Sequence, residues 1–322
     1  MTAPLLDVRD LRVSFQQGKN LLRAVDGLTY TVDAGQALAI VGESGSGKTM
    51  GVRALLGLLP PGGKVESGQA WFGGTDLLAA RPEQVRRVRG REVAMVFQNA
   101  MQALNPTVTL QRQLTEHLRW HRICGRSEAV ERAAQALADV GIPEPRRRLR
   151  MYPFQLSGGM RQRAMIAMAM VTRPRLLIAD EPTTAVDVTV QRQIIDLLGR
   201  LRDEGTAIVM ITHDLGVARA LCDDLLVMYA GHAVERGPTV EVVSAPLHPY
   251  TRGLVGCSVQ VGTSGRPLRP IAGNPPELVL LPAGCPFQPR CPEADGPACD
   301  RDQLLVRAAD GRKAACWRVD GR

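Results

Sequence analysis

Short, continuous apolar runs recur along the chain, set too far apart to be hairpins. Ala37–Val41 reads Ala-Leu-Ala-Ile-Val, residues 92–96 Glu-Val-Ala-Met-Val, residues 175–179 Arg-Leu-Leu-Ile-Ala, and Ala207–Thr212 Ala-Ile-Val-Met-Ile-Thr. Unbroken rather than alternating hydrophobicity over such lengths fits strands buried on both faces, as in a parallel sheet. Helical spacing lies between them. Residues 115–122 and 127–140 place apolar side chains three and four apart, with Leu137 and Val140 on one face. Residues 50–59 read as a further helix, stopped by Pro60-Pro61-Gly62-Gly63. Strands alternating with helices give an α/β fold class.

Polar residues at the ends of these runs carry the chemistry. Residues 42–49 read Gly-Glu-Ser-Gly-Ser-Gly-Lys-Thr directly after the first run. Gly42, Gly47, Lys48 and Thr49 complete the pattern Gly-x-x-x-x-Gly-Lys-Thr, with Glu43, Ser44, Gly45 and Ser46 between them. Backbone N–H groups of residues 45–49, at a helix N-terminus, would face phosphate groups. The Thr49 hydroxyl would sit on Mg²⁺. Lysine at 48 stands out because the chain uses only four lysines (Lys19, Lys48, Lys64, Lys313) against 36 arginines. A compact ammonium enters a tight phosphate cradle where a broad planar guanidinium does not.

The third run ends at Asp180-Glu181-Pro182. An acid at the C-terminal tip of a parallel strand lies where α/β sheets bind ligands. Asp180 fits a Mg²⁺-holding acid, and Glu181 a base that polarises the attacking water. Successive strand side chains point to opposite faces, so both acids serve one site only if the strand stops there; Pro182 favours a stop. His213 follows the last run, and Phe97-Gln98 the second. Phe15, ahead of the glycine-rich loop, reads either as an adenine-stacking ring or as core.

A second glycine-bearing turn decides between ATPase types. Residues 156–163 read Leu-Ser-Gly-Gly-Met-Arg-Gln-Arg. A plain P-loop ATPase has no use for it. With the P-loop and Asp180-Glu181 it makes the chain resemble ATP-binding cassette (ABC) ATPases from about residue 5 to residue 237. The resemblance implies a RecA-like parallel-sheet core from residues 1–98 and 166–235, an antiparallel β flap, and a helical subdomain over residues 99–165. The ABC domain would span residues 1–237, with an extension over 238–322. It also implies ATP and Mg²⁺, with His213 as the switch histidine on the γ-phosphate and Gln98 as the glutamine sensing Mg²⁺ and water. Ser157, Gly158 and Gly159 would contact the ATP held by a second cassette, identical or sister.

Finer motifs are similar to the oligopeptide/dipeptide/nickel importer ATPases. They are Phe97-Gln98 with Met101 and Leu104-Asn105-Pro106, Glu43 within the P-loop, Tyr152-Pro153, residues 160–163, and His248-Pro249-Tyr250-Thr251. Two positions depart from that pattern. Phe154-Gln155 replaces His-Glu ahead of the signature leucine, and Val186 replaces leucine before Asp187.

Charge and composition alter this picture little. The chain has 322 residues, 45% hydrophobic and 22% charged, with a formal net charge of +8. Its basic residues are dispersed, so no nucleic-acid partner is expected. No apolar run approaches the roughly 18–20 residues of a membrane span, and residues 1–10 lack a signal-peptide pattern. The reading is a cytosolic chain, peripheral at the cytoplasmic face of the membrane through its partners.

Cysteines crowd the tail. Cys285, Cys291, Cys299 and Cys316 have the spacing C-x5-C-x7-C-x16-C, which matches neither zinc knuckles nor ferredoxin runs. Disulfides are disfavoured in a cytosolic chain. A [4Fe–4S] cluster, Zn²⁺ and free thiols all stay open. The resemblance favours the cluster, in a structural role, since some peptide-importer ATPases ligate one through such cysteines.

The expected function is the ATP-hydrolysing subunit of a bacterial peptide-type importer. It would act with a second cassette, two permease subunits and, indirectly, a substrate-binding protein. Other cargo, nickel included, an exporter, and a DNA-associated ABC ATPase are the alternatives. Only 115 positions separate Gly42 from Ser157, which leaves no room for the coiled-coil arms of chromosome-maintenance ATPases. The cassette never touches cargo, so substrate identity is not written in this chain.

Overall fold

The computed structural model describes residues 3–18, 20–98, 103–184, 186–258 and 270–320. Residues 99–102 of the importer motif, Met101 among them, lie outside the described residues. In chain order the strands are β1 (Leu6–Gln17), β2 (Asn20–Val32), β3 (Ala37–Val41), β4 (Gly63–Phe72), β5 (Thr75–Asp76), β6 (Val93–Val96), β7 (Leu176–Asp180), β8 (Ala207–Thr212), β9 (Asp224–Tyr229), β10 (His232–Pro238), β11 (Val306–Arg307) and β12 (Lys313–Ala314). The chain divides into two compact units: residues 1–33, 37–80 and 211–322, and residues 34–36 with 81–210.

In the first unit, β2, β1, β4 and β5 form an antiparallel sheet in that order. Alternation along β1 buries Leu6 and Val8, then Leu11 and Val13. The pairing of β1 with β2 shifts between Val8 and Leu11, which keeps both apolar pairs inward across a bulge. β3 is buried at all five positions and pairs in parallel with β9, Leu38 opposite Asp224 through Val41 opposite Val227. β10 pairs antiparallel with β9 and with β12, and β12 with β11. The C-terminal region thus extends the same run of strands as β3.

In the second unit, β6 and β7 pair in parallel, Val93 opposite Leu176 through Val96 opposite Ala179. β7 and β8 are buried throughout. The helices Leu110–Trp120, Arg126–Asp139 and Gly158–Met170 pack on one another. Their shared core includes Leu110, Leu114 and Leu118, Ala129, Ala133 and Leu137, and Ala164, Met165 and Ile166. Asp187 caps the helix Val188–Asp203 by accepting from the Val190 N–H at 2.9 Å.

β3 and β8 fall where continuous hydrophobicity puts them, and β6 and β7 within one residue of it; the helix ends stray further. The helix expected over residues 50–59 is Lys48–Leu55. It starts earlier because the loop delivers Lys48 already helical. It stops earlier because Gly57 takes a φ of +59°, the left-handed exit that glycine allows at little cost. The helix expected over 115–122 begins at Leu110, in step with Leu110, Leu114 and Leu118. The third run is offset by one residue, which brings Asp180 into β7. Among the described residues no helix is long and apolar enough to cross a membrane.

The C-terminal region is fastened by a buried polar cluster. Glu235 on β10 is fully buried and accepts from the Leu247 and His248 N–H groups at 2.9 and 2.8 Å. Burial raises its carboxyl above the ordinary range, while those backbone donors and Arg312 pull it back. Arg312, 6% exposed, lies 3.7 Å from Glu235, donates to the Ala245 carbonyl at 2.7 Å and pairs with Asp310. Replacing Arg312 by Leu is expected to cost ~3–5 kcal/mol, because Glu235 is left buried without its counter-charge. Asp310→Asn, at the exposed end of the cluster, is expected to leave the unfolding midpoint nearly unchanged, because solvent screens the pair. Urea unfolding followed by circular dichroism measures both.

Candidate nucleotide site

The loop 42–49 is shaped by what its glycines touch. Gly42 has a φ of +156°, and a Cβ there would lie 2.2 Å from the Met228 carbonyl oxygen. Gly47 has a φ of +94°, and a Cβ there would lie 2.0 Å from the Ala24 carbonyl oxygen. Neither position admits a side chain. The Ser46 N–H donates back to the Glu43 carbonyl at 3.2 Å, and the Gly51 N–H to the Gly47 carbonyl at 2.9 Å, so the loop curls straight into the helix Lys48–Leu55. Lys48 is 7% exposed. Its ammonium turns into the curl and donates to the Gly42 and Glu43 carbonyls, both at 2.8 Å, and to Ser46 Oγ at 3.3 Å. A glycine-lined curl holding an inward ammonium, at a helix N-terminus, fits a phosphate group. Ser44 and Gly45 face outward on this loop, and Thr49 is half-buried in the first helical turn.

His213 is exposed just beyond β8, and Asp214 caps the helix Leu215–Leu221, accepting from the Gly216 and Val217 N–H groups at 2.7 and 3.2 Å. Phe15 lies half-buried on β1 and fills the space over Gly63, where a Cβ would come within 2.7 Å of the ring. The contact gives Phe15 a packing role within its sheet.

In the second unit, Asp180 ends β7 at 1% exposure. Glu181 follows with a φ of +47°, a left-handed conformation uncommon for a side chain of its size. The strand therefore stops between the two acids, as their sharing of a site requires. Gln98 Nε2 donates to Glu181 Oε2 at 2.7 Å, and Thr184 Oγ1 donates to the same oxygen at 2.8 Å. Gln98 and Glu181, predicted independently, are thus brought together. Ser157 caps the helix Gly158–Met170, its Oγ accepting from the Met160 N–H at 3.3 Å. Gly158 is exposed, and Gly159 packs over Val190.

Two residues to which the sequence analysis assigned no role belong to this constellation. Thr184 holds Glu181. Gln162, 4% exposed, donates its Nε2 to the Pro182 carbonyl at 2.6 Å and ties the signature helix to the turn after β7. A glutamine two residues ahead of the apolar stretch of this helix was the only trace in the sequence.

Cys285, Cys291, Cys299 and Cys316 line one cavity of about 10 Å³, together with His248 and Phe287. All four are free thiols. The Cys285 N–H donates to the Cys299 carbonyl at 2.8 Å. Burial pushes the Cys285 thiol up to about 11 and raises those of Cys291 and Cys316. Among the described residues no three of His, Cys, Asp and Glu are gathered as a single metal ion requires. This arrangement supports neither the Zn²⁺ nor the cluster reading. Cys124, Cys222 and Cys257 do not line that cavity.

Residues 25–184 match the ABC transporter family, and residues 234–299 match the oligopeptide/dipeptide transporter C-terminal region. The oligopeptide transport ATP-binding protein OppD of Salmonella typhimurium is 47% identical over 98% of this chain and 93% of its own. The chain belongs to the ABC transporter ATPases. The dipeptide transport ATP-binding protein DppD of Bacillus subtilis is 42% identical over 99% of this ABC ATPase and 96% of its own length. A bacterial ABC transporter cassette solved as a dimer aligns with a TM-score of 0.66 at 25% identity, covering 73% of this chain and 98% of that one. A post-hydrolysis cassette bound to ADP and Pi, 24% identical with the same score and coverage, shares the fold. The fold of this ABC ATPase is thus the cassette fold expected from its motifs.

Gly47→Ala tests the cradle. Left-handed strain of ~1–3 kcal/mol adds to a backbone collision that no rotamer relieves. Loss of Mg-ATP binding with a lowered melting temperature is the expected result, read by nucleotide titration and a thermal melt.

Proposed function

We propose that this ABC ATPase is the ATP-hydrolysing subunit of a peptide importer. It works with a second cassette, identical or sister, on two permease subunits supplied by a substrate-binding protein, and is held at the cytoplasmic face of the membrane by the permeases. The observation that carries the reading is similarity to peptide-transport ATP-binding proteins over nearly the whole chain, its C-terminal region included. ATP energises the permeases as the two cassettes close and reopen.

Each residue has a role in that reading. The amides of residues 45–49, Lys48 and the loop around Glu43 and Ser44 take the β- and γ-phosphates. Thr49, Asp180 and Gln98 would hold Mg²⁺, which would supply neutralisation of charge on the phosphate oxygens. Glu181, oriented by Gln98 and Thr184, accepts the proton of the attacking water. The water oxygen bonds to the γ-phosphorus as the bond to the β–γ bridging oxygen breaks, giving ADP and phosphate. His213 steadies the γ-phosphate. Ser157, Gly158 and Gly159 meet the nucleotide of the partner cassette through the N-terminus of their helix. Glu181→Gln in the assembled transporter is expected to keep ATP binding while hydrolysis falls at least ~100-fold and labelled-peptide uptake into proteoliposomes stops. Uptake of a nickel chelate but not peptide by the parent complex would redirect the cargo assignment.

The four-cysteine cavity belongs to the same reading as the seat of a structural [4Fe–4S] cluster. Four free thiols around one cavity are the ligand set such a cluster takes as thiolates. Anaerobic purification is expected to yield brown protein with about four irons per chain. Colourless, iron-free protein would leave the cysteines as plain thiols.

A further inference from the structure

One contact of the phosphate loop comes from far along the chain. Glu43, the second residue of the loop, is an acid beside a site built for a polyanion. Its side chain is bound by Arg290 at two points, Nη1 to Oε2 at 2.7 Å and Nη2 to Oε1 at 3.2 Å. The two residues are 247 positions apart. The Arg290 side chain is 6% exposed against 26% for Glu43. Two further donors are used: Nε donates to the Ala272 carbonyl at 2.9 Å, and Nη1 to the Tyr229 hydroxyl oxygen at 3.3 Å. Its carbon lies 5.8 Å from the Tyr229 ring centre and 6.0 Å from that of Phe287. A second grip falls on the same loop residue, where the Glu43 N–H donates to the Tyr250 hydroxyl oxygen at 2.8 Å. Tyr229, Tyr250 and Phe287 pack ring against ring, with centres 4.5 to 5.3 Å apart.

The charge balance explains why such a grip is needed. The loop gathers amide N–H groups and one ammonium to attract phosphate. An ionised Glu43 in that loop opposes the attraction, and a low-polarity surround strengthens the opposition. A bidentate guanidinium cancels the charge and fixes the carboxylate in one orientation. A lysine does the first but not the second. The turn Gln288–Arg290 that presents the guanidinium lies between Cys285 and Cys291, and the Cys291 N–H closes it by donating to the Gln288 carbonyl at 3.1 Å. The C-terminal region is thereby a wall of the phosphate site.

We propose that Arg290 is a positioning residue for ATP binding: by neutralising and orienting Glu43 it lets the phosphate loop accept the triphosphate. The inference rests on loop 42–49 being the phosphate site. Mg-ATP titration of the full chain tests it, with Lys48→Ala measured alongside. Arg290→Gln is expected to weaken ATP binding roughly ten-fold, the scale of coupling between linked sites. Glu43→Gln/Arg290→Gln should recover most of that loss, because the stray charge is gone. Arg290→Lys should fall between Arg290→Gln and the parent. Raising ionic strength should narrow the gap for Arg290→Gln, as screening weakens an uncompensated charge. Parent-like affinity in Arg290→Gln overturns the proposal. So does a double variant as weak as the single one, or an Arg290→Lys variant no better than Arg290→Gln, since a residue needed only for folding is not rescued by charge. Parent-like affinity in Lys48→Ala would sink the phosphate reading itself; a failed Lys48→Ala beside an unaffected Arg290→Gln sinks only the role of Arg290.

Discussion

The first unit is organised around two places where backbone meets backbone with no room for a side chain. Gly42 lies against the Met228 carbonyl of β9, and Gly47 against the Ala24 carbonyl of β2. A third strand connection closes the arrangement. The Gly231 N–H, in the turn from β9 to β10, donates to the Ser46 carbonyl at 3.1 Å, and the Asp26 N–H donates to the Gly231 carbonyl at 2.9 Å. The phosphate loop is therefore set by the backbones of strands from two sheets. Such walls do not give way as side chains do. A loop whose amides are prearranged in this way binds an anion without first being ordered, and the ordering cost falls on folding instead.

This dependence explains what the sequence discloses and what it hides. Buried strands are legible because burial on both faces demands continuous hydrophobicity, so β3 and β8 fall where their apolar runs do. The loop is legible because only glycine survives at Gly42 and Gly47 and only a slim cation fits at Lys48. Helix ends are less legible, since a single left-handed glycine, Gly57, ends the first helix inside an apolar stretch that runs on to Leu59. The pair Glu43–Arg290 is illegible. Side-chain pairs have a sequence signature only within a helix or across adjacent strands, at fixed short offsets. Here the partner arrives from 247 residues away on a short turn. Gln162 is hidden for the same reason, since its partner is a carbonyl rather than a side chain.

The tail cysteines illustrate the other limit. Spacing alone left a cluster, zinc and free thiols open, because ligand geometry depends on the fold between the cysteines. The fold brings all four to one cavity, without forming among the described residues a group set to hold a metal ion. Phe287 lines that cavity and also packs on Tyr229 and Tyr250, which reach Arg290 and Glu43. The thiol cavity and the phosphate loop thus share a ring of aromatic packing.

The second unit solves a different problem at Glu181. A strand points successive side chains to opposite faces, so Asp180 and Glu181 cannot both serve one site while β7 continues. The left-handed φ of Glu181 breaks the alternation, at a cost of ~1–3 kcal/mol. Such strain persists only when neighbours over-determine the conformation. Gln98 and Thr184 grip the carboxylate, and Gln162 grips the next carbonyl. That last bond originates on the helix capped by Ser157. A rotation of that helix would therefore pull on the turn that carries Glu181. Under the proposed function, contact of Ser157 with a partner's nucleotide would reach Glu181 through the Gln162–Pro182 bond, which gives a reason for this glutamine to sit on the buried face of its helix.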